Sequence, residues 1–247
     1  MKTDSTQRSL QGIIPFTYPR NMKVLVLNGS PKKNSDTFRL TQAFLEGFDR
    51  KGGNEIHVVK VIDKKIAPCR GCFSCWQKAD GHCVINDDQN DILDLYRTSD
   101  VIIWSFPLYC YAMPSHIKAL LDRTLPLTTM RMTQTENGTV RHETITDFSR
   151  IHTLVISGCG FPNWEGNFDG LRIMCKNCFI NPTMVCVPET PLLNIPQAAP
   201  VADPLLERFR KAGEEYSETL TLNQSTVAEL EKPMIPKEAY IRGVNGN

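Results

Sequence analysis

The sequence predicts an α/β fold in which a doubly wound, five-stranded parallel sheet carries helices on both faces. Three observations predict it. Short apolar runs rich in β-branched residues recur along the 247 residues, segments of helical period separate them, and the runs end in loops rich in Gly, Ser and Pro, as strand-to-helix turns do. A chain of this length can bury one large core. We therefore expect a single domain over 22–222, an arm at 1–21 and an extension at 223–247.

The first strand is Val24-Leu25-Val26-Leu27, a continuous apolar run stopped by Asn28-Gly29, which is the pattern of a parallel strand covered on both faces. Leu40, Ala43, Phe44, Gly47 and Phe48 then recur at helical spacing, and Lys51-Gly52-Gly53 ends that helix. The second run, Ile56 to Val61, mixes in polar residues and suits an edge strand. A cysteine-rich loop (66–85) leads to a helix near 88–98, which Asp87 is placed to cap. Further runs follow at Val101–Trp104, Leu154–Ile156 and Met184–Val187, with a last helix expected at 203–220. Right-handed crossovers and the edge character of the second run favour the strand order 2-1-3-4-5. Ligands of such sheets bind at the carboxyl ends of the strands, where the loops beginning at Gly29, Phe106 and Ser157 would meet. Residues 124–149, with Asn137-Gly138, read as an insertion that could form a hairpin.

Composition narrows the partners. With 28 basic against 27 acidic residues, nothing suggests a nucleic-acid surface or a polybasic membrane anchor. No apolar run approaches a membrane span, and residues 1–22 lack the apolar core of a signal peptide. A soluble, cytoplasmic protein acting on small molecules is expected. Nine cysteines is an odd number, and four of them crowd into residues 69–83, which fits reduced thiols or metal ligation better than a disulfide framework.

A phosphate ester needs several N–H and O–H donors converging on it, preferably at the positive end of a helix. The loop Gly29 to Thr37 supplies them: hydroxyls from Ser30, Ser35 and Thr37, an amide from Asn34, charge from Lys32 or Lys33, and a helix beginning near Ser35 or Asp36. The competing reading is a plain helix cap. Neither the ending of a triphosphate-binding loop nor a dinucleotide fingerprint is present.

This loop, the cysteine loop and Ser105-Phe106-Pro107-Leu108-Tyr109-Cys110-Tyr111-Ala112-Met113-Pro114, followed by Lys118 to Arg123, together resemble the NAD(P)H-dependent FMN reductase and iron-sulfur flavoprotein group of flavodoxin-like proteins, from residue 22 to about 190. The resemblance implies FMN as cofactor, NAD(P)H as co-substrate and a homodimer. It puts the phosphate at Ser30, Lys32, Asn34, Ser35, Asp36 and Thr37, and the isoalloxazine against Pro107, Leu108, Tyr109, Tyr111 and Met113. Ser157, Gly158, Cys159, Gly160 and Phe161 would form the other wall. A flat ring system does need apolar faces and a few directed hydrogen bonds, and both loops offer them, although a proline-rich turn packing its aromatics in the core reads similarly. No catalytic side chain is expected, because hydride chemistry belongs to the flavin.

Cys69, Cys72, Cys75 and Cys83 are spaced C-x2-C-x2-C-x7-C. Three thiolates on such a loop can wrap three corners of a [4Fe-4S] cube and a fourth can close it, as in the compact motif that the iron-sulfur flavoproteins carry. Unligated thiols and zinc are the competing readings. Cys175 and Cys178 fall on one helical face with Phe168 and Leu171 and read as core; Cys110 and Cys159 read as small apolar fillers. Lys118, Arg123 and Arg131 are candidates for a nucleotide 2′-phosphate or are surface charges.

Three functions follow as expectations: an FMN-dependent NAD(P)H:acceptor oxidoreductase reducing a flavin, quinone, nitro or azo compound; an iron-sulfur flavoprotein exchanging single electrons with a ferredoxin-like carrier; and a non-catalytic binding module of the same fold.

Overall fold

The computed structural model describes residues 21–135 and 138–246. The expected arm therefore lies, apart from Asn21, outside the described residues, as does Asn137 of the expected turn. The elements run β1 (Lys23–Asn28), α1 (Asp36–Phe48), β2 (Glu55–Lys60), α2 (Ser74–Lys78), α3 (Gln89–Thr98), β3 (Val101–Pro107), α4 (Ser115–Asp122), β4 (Thr128–Gln134), β5 (Val140–Thr144), β6 (His152–Gly158), α5 (Asp169–Cys178), β7 (Thr183–Val187), α6 (Ala199–Thr219), α7 (Gln224–Leu230) and α8 (Lys237–Asn245). Short 3-10 turns join several of them.

Five strands form one sheet in the order β2-β1-β3-β6-β7, and every neighbouring pair in it is parallel. Successive side chains of a strand point to opposite faces, so each buried strand serves two cores. Val24, Val26, Ile103, Leu154 and Ile156 pack with Leu40, Phe44, Phe209 and Tyr216 of α1 and α6. Leu25, Leu27, Ile102, Trp104 and Val155 pack with Ile92, Ile117 and Leu171 of α3, α4 and α5. That division explains why the central runs carry no polar residue. β2, at the edge, exposes His57 and Val58, which accounts for its mixed composition.

α1 and α6 approach to backbone contact at two glycines. A Cβ on Gly47 would stand 1.8 Å from the Arg210 carbonyl oxygen, and one on Gly213 would stand 2.0 Å from that of Phe44. Only hydrogen fits at either place. The insertion between α4 and β6 holds the antiparallel pair β4 and β5. It is tied to the cysteine loop by Trp76, whose Nε1 donates to the Leu125 carbonyl and the Thr128 hydroxyl, both at 3.2 Å, and whose ring packs against those of Phe73 and His142.

Three local expectations are corrected. α6 begins at Ala199 because prolines at 200 and 204 fit the first turns of a helix, where their missing N–H costs least. The residue at the cap position of α3 is Asp88; Asp87 instead accepts from the backbone of Ala67 and Gln89 and from Arg123. Cys178 is exposed, since α5 ends there, whereas Phe168, Leu171 and Cys175 are fully buried. Among the described residues no helix is long and apolar enough to cross a membrane.

Candidate functional site

At the carboxyl ends of β1, β3 and β6 three loops converge on a cavity of about 130 Å³, lined by Ser30, Lys32, Ser35, Asp36, Thr37, Pro107, Leu108, Tyr109, Gly158, Cys159, Gly160, Thr190 and Pro191. The loops are laced together by their backbones. Gly29 donates to the Ser105 carbonyl at 2.7 Å, and Leu108 donates to that of Gly158 at 2.8 Å.

The first loop turns by local side-chain bonds. Ser30 N–H donates to the Asn28 side-chain oxygen at 3.0 Å, and Lys32 N–H to the Ser30 hydroxyl at 3.4 Å. Ser35 sits in an extended conformation with its hydroxyl accepting from Phe38 N–H at 3.0 Å, the bond of a true N-cap. Asp36, buried in the first turn, carries a negative charge into the cradle that is compensated on both sides: Lys32 Nζ donates to it at 2.9 Å, and the Asn194 amide donates to its other oxygen. That ion pair also holds the Lys32 ammonium above its usual range. Asn34 does not line the cavity; it is exposed, and its carbonyl accepts from Asn194 at 3.1 Å. Gly158 has no room for a side chain, because a Cβ would come within 2.5 Å of Thr190 and 2.9 Å of the Thr37 hydroxyl.

The second loop is a two-residue reversal. Tyr109 and Ala112 exchange backbone hydrogen bonds at 2.9 and 3.0 Å, and the residues between them, Cys110 and Tyr111, both adopt left-handed backbone with φ of 47° and 62°. Asn and Gly usually occupy such positions; a cysteine and a tyrosine there cost about 1 kcal/mol or more apiece. The reversal leaves Tyr109 and Tyr111 exposed; Tyr109 lines the cavity, whereas Tyr111 is not among its lining residues and stacks its ring on Phe161 at 6.2 Å between centroids. Met113 turns the other way, into the core beneath β3. Ser157 is likewise fully buried, with a hydroxyl that has no hydrogen-bond partner among the described residues. Thr190 and Pro191, just past β7, join the wall; the apolar run ending at Val187 marked this strand end in the sequence.

Cys69, Cys72, Cys75 and Cys83 line one small cavity of about 20 Å³ together with Arg70 and Arg123. Hydrogen bonds from Ser74 lower the Cys72 thiol, whereas burial raises that of Cys75. As they stand, no three Cys, His, Asp or Glu side chains among the described residues are placed to hold a metal ion. The four thiols nevertheless line one space beside two cations, Cys69 and Cys72 exposed and Cys75 buried, and as a donor set their chemistry suits an anionic iron-sulfur centre. Arg123 is neither a surface charge nor a nucleotide ligand: its side chain is fully buried and pairs with Asp87 at 2.5 Å. Lys118 pairs with Asp122, and Arg131 with Glu143 at 3.3 Å. Burial pushes the thiols of Cys159 and Cys175 up to about 11 and about 12, so these are inert fillers at neutral pH.

With this geometry the chain can be set beside known proteins. Residues 22–137 match the family described as NADPH-dependent FMN reductase. The matched segment contains β1 to β4, hence the first loop, the cysteine loop and the strained reversal, but not the wall at 157–161. The chain is 34% identical over 106 residues to an iron-sulfur flavoprotein of Methanosarcina thermophila, covering 43% of this chain and 54% of that one. An iron-sulfur flavoprotein of Methanocaldococcus jannaschii is 35% identical over 106 residues, covering 43% and 53%. The chain spans about half the length of these curated relatives. Among solved structures, an NAD(P)H:quinone oxidoreductase from Methanothermobacter marburgensis superposes with a TM-score of 0.57 at 15% identity, covering 80% of this chain and 98% of that one. An FMN-dependent NADH-azoreductase from Bacillus anthracis, solved with FMN, gives 0.56 at 16%, covering 80% and 100%. The likenesses to solved structures establish the fold.

Proposed function

We propose that this chain is an FMN-dependent oxidoreductase that takes hydride from NAD(P)H and passes the electrons to a small-molecule acceptor such as a flavin, quinone, nitro or azo compound. The observation that carries it is the meeting, at one strand-end cavity, of a capped helix N-terminus ringed by Ser30, Ser35 and Thr37 with the strained aromatic reversal at Tyr109 to Tyr111. The first is an anion cradle and the second a platform for a flat ring.

The residues fit FMN in a divided way. A cavity of about 130 Å³ takes a phosphate and polyol chain but falls short of the roughly 300 Å³ at which pockets for larger ligands begin. The ring system would therefore lie across Pro107, Leu108 and Tyr109, with Tyr111 and Phe161 at its edge and a second copy of the chain covering its outer face. When bound, FMN supplies hydride and electron chemistry. The chain holds the phosphate with N–H and O–H donors, neutralises Asp36 through Lys32 so that the cradle does not repel an anion, and keeps charged groups off the ring. We take 22–222 as the flavin-binding body and 223–247 as an extension.

A second reading has its own observation, the four cysteines around one cavity: an iron-sulfur flavoprotein that exchanges single electrons with a ferredoxin-like carrier. Cys69, Cys72, Cys75 and Cys83 would hold a [4Fe-4S] cluster there.

One preparation tests both. Protein purified without oxygen is expected to show flavin absorbance that bleaches on adding NADPH. Bleaching without iron leaves the first reading alone; about four irons per chain with a brown shoulder and no bleaching favours the second. Protein without flavin, even after incubation with FMN, would leave a binding module.

A further inference from the structure

The extension beyond Asn223 lies outside the segment matched to the reductase family, yet it reaches the cavity wall from behind through buried polar bonds. Glu189 follows β7 in left-handed backbone with φ of 57° and is fully buried. One of its carboxylate oxygens accepts from Met234 N–H at 2.5 Å and Ile235 N–H at 3.1 Å, the two amides between Pro233 and Pro236. The other has no partner among the described residues. A buried carboxylate is costly unless hydrogen-bonded, so these two amides are what make its position tolerable. A second carboxylate, Glu231, accepts from Cys186 N–H at 2.8 Å and from Arg172 at 2.6 Å, which fastens the start of the segment to β7.

From these anchors α8 carries Tyr240, only 6% exposed, to the cavity loop, where its hydroxyl donates to the Gly160 carbonyl at 2.8 Å. The two loops of the wall form one unit. Glu189 N–H donates to the Phe161 carbonyl and Thr190 N–H to that of Cys159, both at 2.9 Å, and Cys159, Gly160, Thr190 and Pro191 all line the cavity. The extension thus grips the wall at Glu189 and again at Gly160.

We propose that the extension is part of the cofactor pocket and that Tyr240 is a positioning residue. By holding the Gly160 carbonyl behind the wall, Tyr240 turns the planar trans peptide so that the Phe161 N–H, which points the opposite way, is presented to the ligand as a donor. Glu189 serves the same end by seating 234–235 and hence α8. The inference rests on the FMN reading for the identity of that ligand.

The test uses full-length Tyr240→Phe, which removes one hydroxyl and keeps the ring packed. FMN binding to apo-protein, followed by quenching of flavin fluorescence, is expected to weaken about tenfold, as for one lost hydrogen bond near 1.4 kcal/mol. The apo-protein melting temperature should fall by only about 2–4 °C, as for one lost hydrogen bond, while the visible circular dichroism of flavin bound at saturation changes, which a merely structural role would not give. Glu189→Ala should weaken binding as well, and Glu189→Gln, which keeps an acceptor oxygen, should weaken it less. Without FMN, amide hydrogen exchange at 158–161 should be faster in Tyr240→Phe than in the wild type. Wild-type affinity and wild-type exchange in that variant would overturn the proposal. If the wild type itself binds no FMN, the flavin reading fails, and exchange at 158–161 alone decides whether Tyr240 holds the wall.

Discussion

Replacing Arg123 by Met should destabilise the protein by about 3–5 kcal/mol, the cost of breaking a buried ion pair by removing one partner. The figure follows from what Arg123 does. Its guanidinium, with no exposed surface, donates to the Asp87 carboxylate at 2.5 Å, to the Ala67 carbonyl at 3.1 Å and to the Ile85 carbonyl at 3.3 Å. Those three acceptors bracket the cysteine loop, so one side chain closes it. Met matches the aliphatic stem but leaves the Asp87 charge in a site that is 12% exposed. A loss near 4 kcal/mol is a large share of the roughly 5–15 kcal/mol that holds a domain folded. The pH dependence has a definite sign. Burial raises the Asp87 carboxyl, but the bond from Arg123 and those from Ala67 and Gln89 outweigh it, and the net shift is downward. A carboxylate lowered on folding contributes stability that is full above its unfolded pKa of about 3.9 and is lost as pH falls through the folded value. Urea denaturation of wild type and Arg123→Met at pH 7 and at successive steps below pH 4 measures both effects. The difference between the two proteins should be largest at pH 7 and shrink in acid. A loss under 1 kcal/mol at neutral pH, or a difference that grows as pH falls, would refute the account.

Ser35→Ala removes the hydroxyl that caps α1; it should cost about 1 kcal/mol in thermal or urea unfolding and weaken FMN binding in a fluorescence titration, and unchanged affinity would exclude Ser35 from the cradle. Cys110→Asn places a residue that tolerates left-handed backbone at the strained reversal, so a gain of about 0.5–1 kcal/mol is expected, while a clear loss in melting temperature would show that the strain is absent. Gly213→Ala forces a methyl group against the Phe44 carbonyl and should cost about 2 kcal/mol or more in urea unfolding; a neutral result would contradict the helix contact.

Much of the fold was legible because burial on both faces leaves a chemical mark. β1, β3 and β6 are apolar at consecutive positions, and β2 is not because one side of it meets solvent. The strand-end cavity was legible for a related reason: hydroxyls and glycine just past an apolar run sit where a parallel sheet opens. What the sequence hid depends on direction rather than composition. Met113 and Tyr111 stand two residues apart in one loop, yet the reversal at Cys110 and Tyr111 sends one inward and the other out. Asn34 looks like a ligand by type, but the neighbouring Asn194, 160 residues away, engages its carbonyl instead. Arg123 at a helix end resembles any surface arginine until the loop that it closes is seen. Glu189 and Tyr240 gave no signal, because a carboxylate holding two backbone amides and a tyrosine holding a carbonyl have no spacing rule.

The glycine contact between α1 and α6 bears on the cradle in another way. Ser35 lies 12 residues before Gly47, about 18 Å along the helix axis at 1.5 Å per residue. A helix seated backbone to backbone has no cushion of side chains to absorb a shift, so crowding at Gly213 would move α1 as a stiff rod and carry its amino end with it. If the loop holds FMN as proposed, its donors depend on a fulcrum far from the ligand, and variants there would present as defects of cofactor retention although nothing they touch meets the cofactor.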